Sequence, residues 1–280
     1  MINISQIKLP LDYSQDNLLE KILSILRIES NDLIDFYLIK RSIDARDNSN
    51  IFFICSVNTQ VKNEKSILNK FKNDNRIKKV LKRDYFLPVK APESFPLKEY
   101  LRPVIVGAGP CGYFAALLLA QMGFKPLLLE RGQTVKERTF KCYGFWRKGY
   151  DLDLESNVQF GEGGAGTFSD GKLYSQISDP NNYGRKVLEE FVASGANAEI
   201  LYKHRPHIGT FKLASIVRGF RSRIKALGGE IRFETKMEEL ILKKSSKEYS
   251  NNKEYQVHGL KLSDGSFVRT NYLILALGHS

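Results

Sequence analysis

The sequence has few of the residues from which metal and disulfide chemistry is built: three cysteines, four histidines and one tryptophan in 280 residues. Cys55, Cys111 and Cys142 lie far apart, form no CxxC pair and are odd in number, which excludes a disulfide framework and a dithiol reductase centre. Reduced thiols suit the cytoplasm, the expected location. No apolar run exceeds residues 113–120, far short of the roughly 20 residues needed to cross a bilayer, so no membrane span is predicted. The first eight residues lack both a basic and an apolar signal region, so no secretory signal is expected. No metal site is predicted.

What is present is an ordinary globular composition, 42% hydrophobic and 26% charged, sufficient for one or two domains. Lys and Arg number 43 against 31 Asp and Glu, a formal net charge of +12. The excess is spread, with 17 basic against 13 acidic residues in 1–100 and 26 against 18 in 101–280. The densest stretch, 62–90, includes Lys70, Lys72, Arg76, Lys78, Lys79, Lys82 and Arg83 with almost no interleaved aromatics. It reads as a solvated helix face and its flank rather than a nucleic-acid footprint.

Periodicity divides the chain. Residues 2–9 read as a strand, 16–28 as a helix with Leu18, Leu19, Ile22, Leu23, Ile25 and Leu26 at helical spacing, and 33–43 with 51–57 as a hairpin about the Asp47-Asn48-Ser49-Asn50 turn. A helix over 64–71 and a strand over 78–86 complete β-α-β-β-α-β, a ferredoxin-like α+β domain over 1–87. Pro88, Pro92 and Pro96 mark a linker, 88–102. Residues 103–280 then open with a βαβ unit: strand 103–107, apolar helix 111–122 ended by Gly123, and strand 126–130.

Gly107-Ala108-Gly109-Pro110-Cys111-Gly112 is a GxGxxG between that strand and helix, and Glu130 ends the next strand 21 residues beyond Gly109. Gly107 permits the tight turn, Gly109 lets a pyrophosphate approach the backbone, and Gly112 lets helix pack on strand. The helix presents free N–H groups and its positive dipole end to phosphates, and Glu130, followed by Arg131, accepts from a ribose diol. FAD and NAD both use this fingerprint. The chain favours FAD, because about eighty residues separate Gly132 from the next expected helix, 213–227, whereas a plain NAD domain returns to its sheet sooner. Within that insert, five glycines fall between Gly161 and Gly171, exposing backbone amides as a loop covering a flat ring would; the alternative is a ligand-free Ω-loop. A third parallel strand, 230–234, and a three-stranded meander (238–243, 255–262, 266–270) follow. Strand 272–278 returns to the main sheet, and its Gly278 allows close approach to the cofactor. The fold class expected for 103–280 is a Rossmann-like, FAD-binding parallel sheet with a β-meander.

Val106-Gly107-Ala108-Gly109-Pro110, Leu129-Glu130-Arg131-Gly132, the loop Phe160-Gly161-Glu162-Gly163-Gly164-Ala165-Gly166-Thr167-Phe168-Ser169-Asp170-Gly171-Lys172, Pro206-His207-Ile208-Gly209-Thr210 and Ala276-Leu277-Gly278-His279-Ser280 together resemble the FAD-dependent dehydrogenase (NAD(P)/FAD-dependent oxidoreductase) family over roughly 30–280. These are two-dinucleotide-fold flavoproteins related to the glutathione reductase class. The resemblance implies that Gly107, Gly109 and Gly112, with Pro110 and Cys111 between them, hold the FAD pyrophosphate and Glu130 the adenosine ribose. It also implies that backbone near Met237 meets adenine, that Arg138 reaches the pyrophosphate, and that Gly163, Gly164, Ala165, Gly166 and Thr167 lie against the flavin. Phe211 stands where members carry Asp, which weakens a polar role there. Members continue past Gly-His-Ser with the rest of the substrate domain, so the chain resembles the N-terminal portion of a longer member: a cut chain, a split gene whose C-terminal half is encoded separately, or a frameshifted product.

The expected activity is hydride transfer between an unidentified small organic substrate and flavin, with NAD(P)H a candidate reductant. Two other readings stay open: a non-catalytic fragment of such an enzyme, and a flavin-dependent RNA-modifying enzyme suggested by the basic charge. His207 is a candidate acid or base but reads better as a turn histidine. Cys111 reads as a small packing residue beneath the cofactor, and Cys142 with Tyr143, Phe145 and Trp146 as core.

Overall fold

The computed structural model describes residues 1–81, 84–96, 101–244 and 255–279; Lys82, Arg83 and Ser280, used above, lie outside the described residues. Two compact units emerge, one of 1–85 with 173–192 and 197–207, the other of 86–172 with 193–196 and 208–280.

In the first unit, strand β1 (Ile2–Leu9) turns Ile2 and Ile4 inward, each fully buried, and leaves Asn3 on the opposite face, as a two-residue repeat requires. Helix α1 (Gln15–Leu26) starts at a capping box, the Ser14 hydroxyl accepting from the Asn17 N–H at 3.1 Å and the Asn17 side chain from the Ser14 N–H at 3.0 Å. Its Leu18, Ile22 and Leu26, four apart, form the stripe that packs on the sheet. Strands β2 (Leu33–Asp44) and β3 (Phe52–Val61) form the expected hairpin, helix α2 (Glu64–Lys70) follows, and β4 (Ile77–Lys79) closes an antiparallel sheet of order β2-β3-β1-β4. This is the ferredoxin-like order. Strand β4 is shorter than the periodicity suggests because Lys79 already faces Ile2, where the ladder of β1 stops.

Segments 173–192 and 197–207 cluster with this unit rather than with the sequence that flanks them. The Arg41 N–H donates to the Tyr202 carbonyl at 2.7 Å, the His204 N–H to the Arg41 carbonyl at 2.9 Å, and the Arg41 guanidinium pairs with Glu199 at 2.9 Å. Helix α5 (Tyr183–Ala193) starts where Asp179 accepts from the N–H groups of Tyr183 and Gly184.

The second unit opens with strand β5 (Val104–Val106), helix α3 (Pro110–Gln121) and strand β6 (Leu127–Leu129). Helix α4 (Val135–Lys148), a 3₁₀ turn at Ala165–Phe168 and helix α6 (Thr210–Ala226) come next. Strand β7 (Glu230–Arg232) leads to a meander of β8 (Met237–Lys244), β9 (Tyr255–Leu262) and β10 (Phe267–Arg269), and β11 (Leu273–Leu275) pairs parallel to β5. The parallel sheet runs β11-β5-β6-β7, as in a doubly wound nucleotide-binding fold. Val104, Val106, Leu127 and Leu129 pack against Leu260 and Leu262 of the meander. Alternation sends Ile105 and Leu128, both fully buried, to the other face, where α3 lies against β5 and β6. The unit is thus meander, parallel sheet and helices in three layers, the Rossmann-like class expected.

Candidate functional site

Every strand of the parallel sheet points its C-terminal end at one cavity of about 830 Å³. Val106 ends β5, Glu130 and Arg131 follow β6, Thr235 to Met237 follow β7, and Leu275 to His279 follow β11. Open parallel sheets bind ligands there, and the volume is in the range of small-molecule and cofactor sites.

The fingerprint glycines divide into two kinds. A Cβ on Gly107, whose φ is +103°, would meet the Ala276 carbonyl, and one on Gly112 would meet the Gly107 carbonyl. These two bring backbone against backbone and do not line the cavity. Gly109 does line it, with only the Gly164 Cα within 4 Å of its missing side chain, at 3.9 Å. It precedes α3, which has Pro110 at its first position and no side-chain cap, so the N–H groups of the first turn face the cavity mouth without a protein side chain to satisfy them. Cys111, in that turn, is exposed and lines the cavity rather than packing beneath it.

Glu130 is 5% exposed; one carboxylate oxygen accepts from the Ala108 N–H at 2.7 Å and the other from the Gly132 N–H at 2.8 Å. Each oxygen keeps a lone pair for a second donor such as a hydroxyl. Beside it the Arg131 guanidinium lies 3.9 Å from the centre of the Phe160 ring and pairs with Glu155 at 3.2 Å, while Lys236 pairs with the same carboxylate at 2.7 Å.

The glycine-rich loop meets the fingerprint directly: the Gly163 N–H donates to the Ala108 carbonyl at 2.8 Å. Gly164 and Ala165 wall the cavity, but Gly163, Gly166 and Thr167 do not. The Gly164 N–H is taken by the Gly161 carbonyl at 3.0 Å and the Thr167 N–H by Gly164 at 3.2 Å, so these amides serve the loop's own fold rather than a ring packed on it. Arg138 requires a similar correction. It is fully buried and donates to the carbonyls of Asn157, Val158, Gly161, Glu162 and Gly164, leaving it inside the loop instead of at a pyrophosphate. Burial lowers its pKa to about 10.

Glu162 is a buried site residue that no sequence motif marks. Its carboxylate is fully buried among the Tyr113 hydroxyl of α3 at 2.5 Å, the Val135 N–H that opens α4 and the Arg221 guanidinium of α6 at 3.2 Å. Burial, reinforced by that carboxylate, drives the Tyr113 pKa well above its usual value. The available signal was one acid among glycines, in Phe160-Gly161-Glu162-Gly163-Gly164. Gln159, Phe160, Lys236 and His279 also line the cavity beyond the residues expected, and Met237 and Gly278 line it too. Tyr143, Phe145 and Trp146, expected as core, are 38%, 44% and 48% exposed. Phe211 is 90% exposed and His207 is exposed.

A family model described as "Domain of unknown function (DUF8436)" matches residues 1–60. An uncharacterized protein of Clostridium beijerinckii is 39% identical over 279 residues, 100% of this chain and 49% of its own length; the chain thus spans about half of the curated relative it matches. Among solved structures, Thermovibrio ammonificans THI4 is 19% identical over 63% of this chain and 57% of its own, with a TM-score of 0.40. The 3-ketosteroid-delta4-(5alpha)-dehydrogenase of Rhodococcus jostii RHA1 is 12% identical over 67% and 48%, with a TM-score of 0.37. Among the described residues no helix is long and apolar enough to cross a membrane.

Proposed function

We propose that the second unit binds FAD and serves an oxidoreductase that moves a hydride between a small organic substrate and flavin, in the cytoplasm. One observation carries this: the uncapped start of α3 and the buried carboxylate of Glu130 open into the same cavity at the sheet's C-terminal edge. The residues suit an adenine dinucleotide. The first-turn N–H groups of α3, approached across Gly109, bind the diphosphate. Glu130 holds the ribose hydroxyls through its remaining lone pairs, and the Met237 backbone borders the adenine. Gly164 and Ala165 form the wall beyond the phosphates, and Gly278 lets the β11 turn come close to the ligand. When bound, the flavin supplies the hydride-accepting centre. NAD(P)H is a candidate reductant, and the longer relative suggests that further polypeptide completes the substrate pocket.

The test is titration of the purified chain with FAD. Quenched flavin fluorescence and a shifted visible spectrum are expected, with Glu130→Ala weakening binding by at least tenfold, since hydrogen bonds to a charged group contribute roughly 1.5–3 kcal/mol. A folded chain that leaves the FAD spectrum unchanged, or a Glu130→Ala variant that binds as tightly as the parent, would overturn the assignment.

A further inference from the structure

In the first unit one face of the sheet, with Ile2, Ile4 and Val57 fully buried, packs with Ile22 of α1 and Ile67 of α2. The opposite face carries a polar row. Asn3 of β1 stands opposite Asn58 of β3, and Asn58 opposite Tyr37 of β2, so three neighbouring strands present an amide, an amide and a phenol side by side. The Asn3 nitrogen donates to the Asn58 side-chain oxygen at 2.8 Å and to the Val57 carbonyl at 3.2 Å, and the Asn58 nitrogen donates to the Tyr37 hydroxyl at 3.4 Å. An amide offers two N–H donors and one carbonyl oxygen, so the Asn3 Oδ1 and one Asn58 N–H remain without a protein partner among the described residues. They form an acceptor beside a donor. All three side chains line a cavity of about 640 Å³, which also takes Arg185, Leu188 and Glu189 from one face of α5. The Arg185 Nε donates to Glu189 at 2.8 Å and its Nη1 to the Leu201 carbonyl at 2.9 Å, which fixes the guanidinium and leaves Nη2 as a further planar donor. Tyr85 adds an aromatic side, its ring edge-on to Tyr183 at 6.0 Å and 5.4 Å from the Lys186 ammonium. A helix lying on a sheet ordinarily meets apolar side chains there. Polar groups left unpaired in a half-buried cavity cost free energy, so the row points to a ligand that completes it.

We propose that this cavity binds a nucleoside through its base. Every nucleobase carries an N–H donor beside an acceptor on its pairing edge, which matches the Asn3 Oδ1 and the Asn58 N–H, while Tyr85 borders the ring and the Arg185 Nη2 takes a further oxygen. Charge argues for a nucleoside over a nucleotide. The cations Arg185 and Lys186 are each matched one turn along α5, by Glu189 at 2.8 Å and Glu190 at 2.5 Å, so neither is committed to a phosphate. The site stands apart from the FAD assignment, since all of these residues belong to the first unit.

The test adds adenosine, guanosine, cytidine and uridine in turn to the purified 280-residue chain, each to about 1 mM, the concentration scale of weak specific binding, and follows side-chain and backbone resonances by NMR. At least one nucleoside is expected to shift the side-chain amide signals of Asn3 and Asn58 and the guanidinium signal of Arg185, equally with and without FAD. Asn58→Leu is expected to weaken that binding roughly tenfold, the loss of about one hydrogen bond. Because that variant could lose fold, Arg185→Gln, which alters only the helix side of the cavity, is expected to weaken it as well. No shift at these signals from any of the four nucleosides overturns the proposal. Binding that FAD displaces overturns it too, since the base would then sit in the other unit's cavity, as does binding that both variants leave unchanged. An oligonucleotide that shifts these signals where free nucleosides do not also overturns it, because the base would then come from RNA.

Discussion

At Gly112 a single hydrogen atom separates the loop from a clash, because any Cβ there lands on the Gly107 carbonyl. Gly112→Ala is expected to cost about 1–3 kcal/mol, as overpacking does, and to abolish FAD binding. Gly166→Ala, with nothing within 4 Å of the new methyl, should stay within about 0.5 kcal/mol; urea melts of both variants check the contrast. The buried pair of Tyr113 and Glu162 makes a pH prediction. Above the ordinary tyrosine pKa the unfolded chain loses the phenol proton while the folded chain keeps it, so the folded state binds more protons and stability falls as pH rises, by up to about 1.4 kcal/mol per unit. Tyr113→Phe should start less stable by about 1–3 kcal/mol, having left a buried carboxylate short of a donor, and should then melt with a shallower alkaline slope above pH 10, the tyrosine reference value.

At the scale of elements, strong periodicity and turn chemistry made most strands and helices legible. The Leu18, Ile22 and Leu26 stripe, the Val104–Val106 run and the Asp264-Gly265 turn before β10 each carry a local signal that survives folding. Ser14→Ala, which removes the cap of α1, should cost about 1 kcal/mol in a thermal melt. Helix α4 was not legible. Its mean hydropathy is low, and its aromatics point outward, Phe140 being 61% exposed, so no apolar stripe marks it. The glycine loop was legible as a motif and illegible as geometry. Nothing local says that Arg138, on α4, threads five carbonyls of residues 157–164, because those partners are fixed only when the chain closes on itself. Arg138→Met should cost at least about 1–3 kcal/mol, because it leaves buried carbonyls of the loop without a donor, with amide exchange across 157–167 accelerating most. Arg138→Lys restores the charge but offers three donors from one point, which cannot span the same carbonyls.

Across the molecule, the cavity residues come from five separate stretches of sequence. The fingerprint and Glu130 were found because they lie within one βαβ unit, whereas Thr235, Lys236 and His279 reach the cavity only through sheet order. Segments 173–192 and 197–207 show the same limit: their place with the first unit rests on Arg41 meeting Glu199 and Tyr202 across more than 150 positions of chain. Composition and periodicity describe neighbours along the chain, and neither encodes that meeting.

Ala108 is held on both sides, its N–H by the carboxylate of Glu130 and its carbonyl by the amide of Gly163. Two successive peptide planes, hinged at the Ala108 Cα, therefore tie the Glu130 end of the cavity to the glycine loop. With both planes anchored, the φ and ψ of Ala108 lose their freedom, so the carboxylate and the loop act as the two clamps of a single hinge.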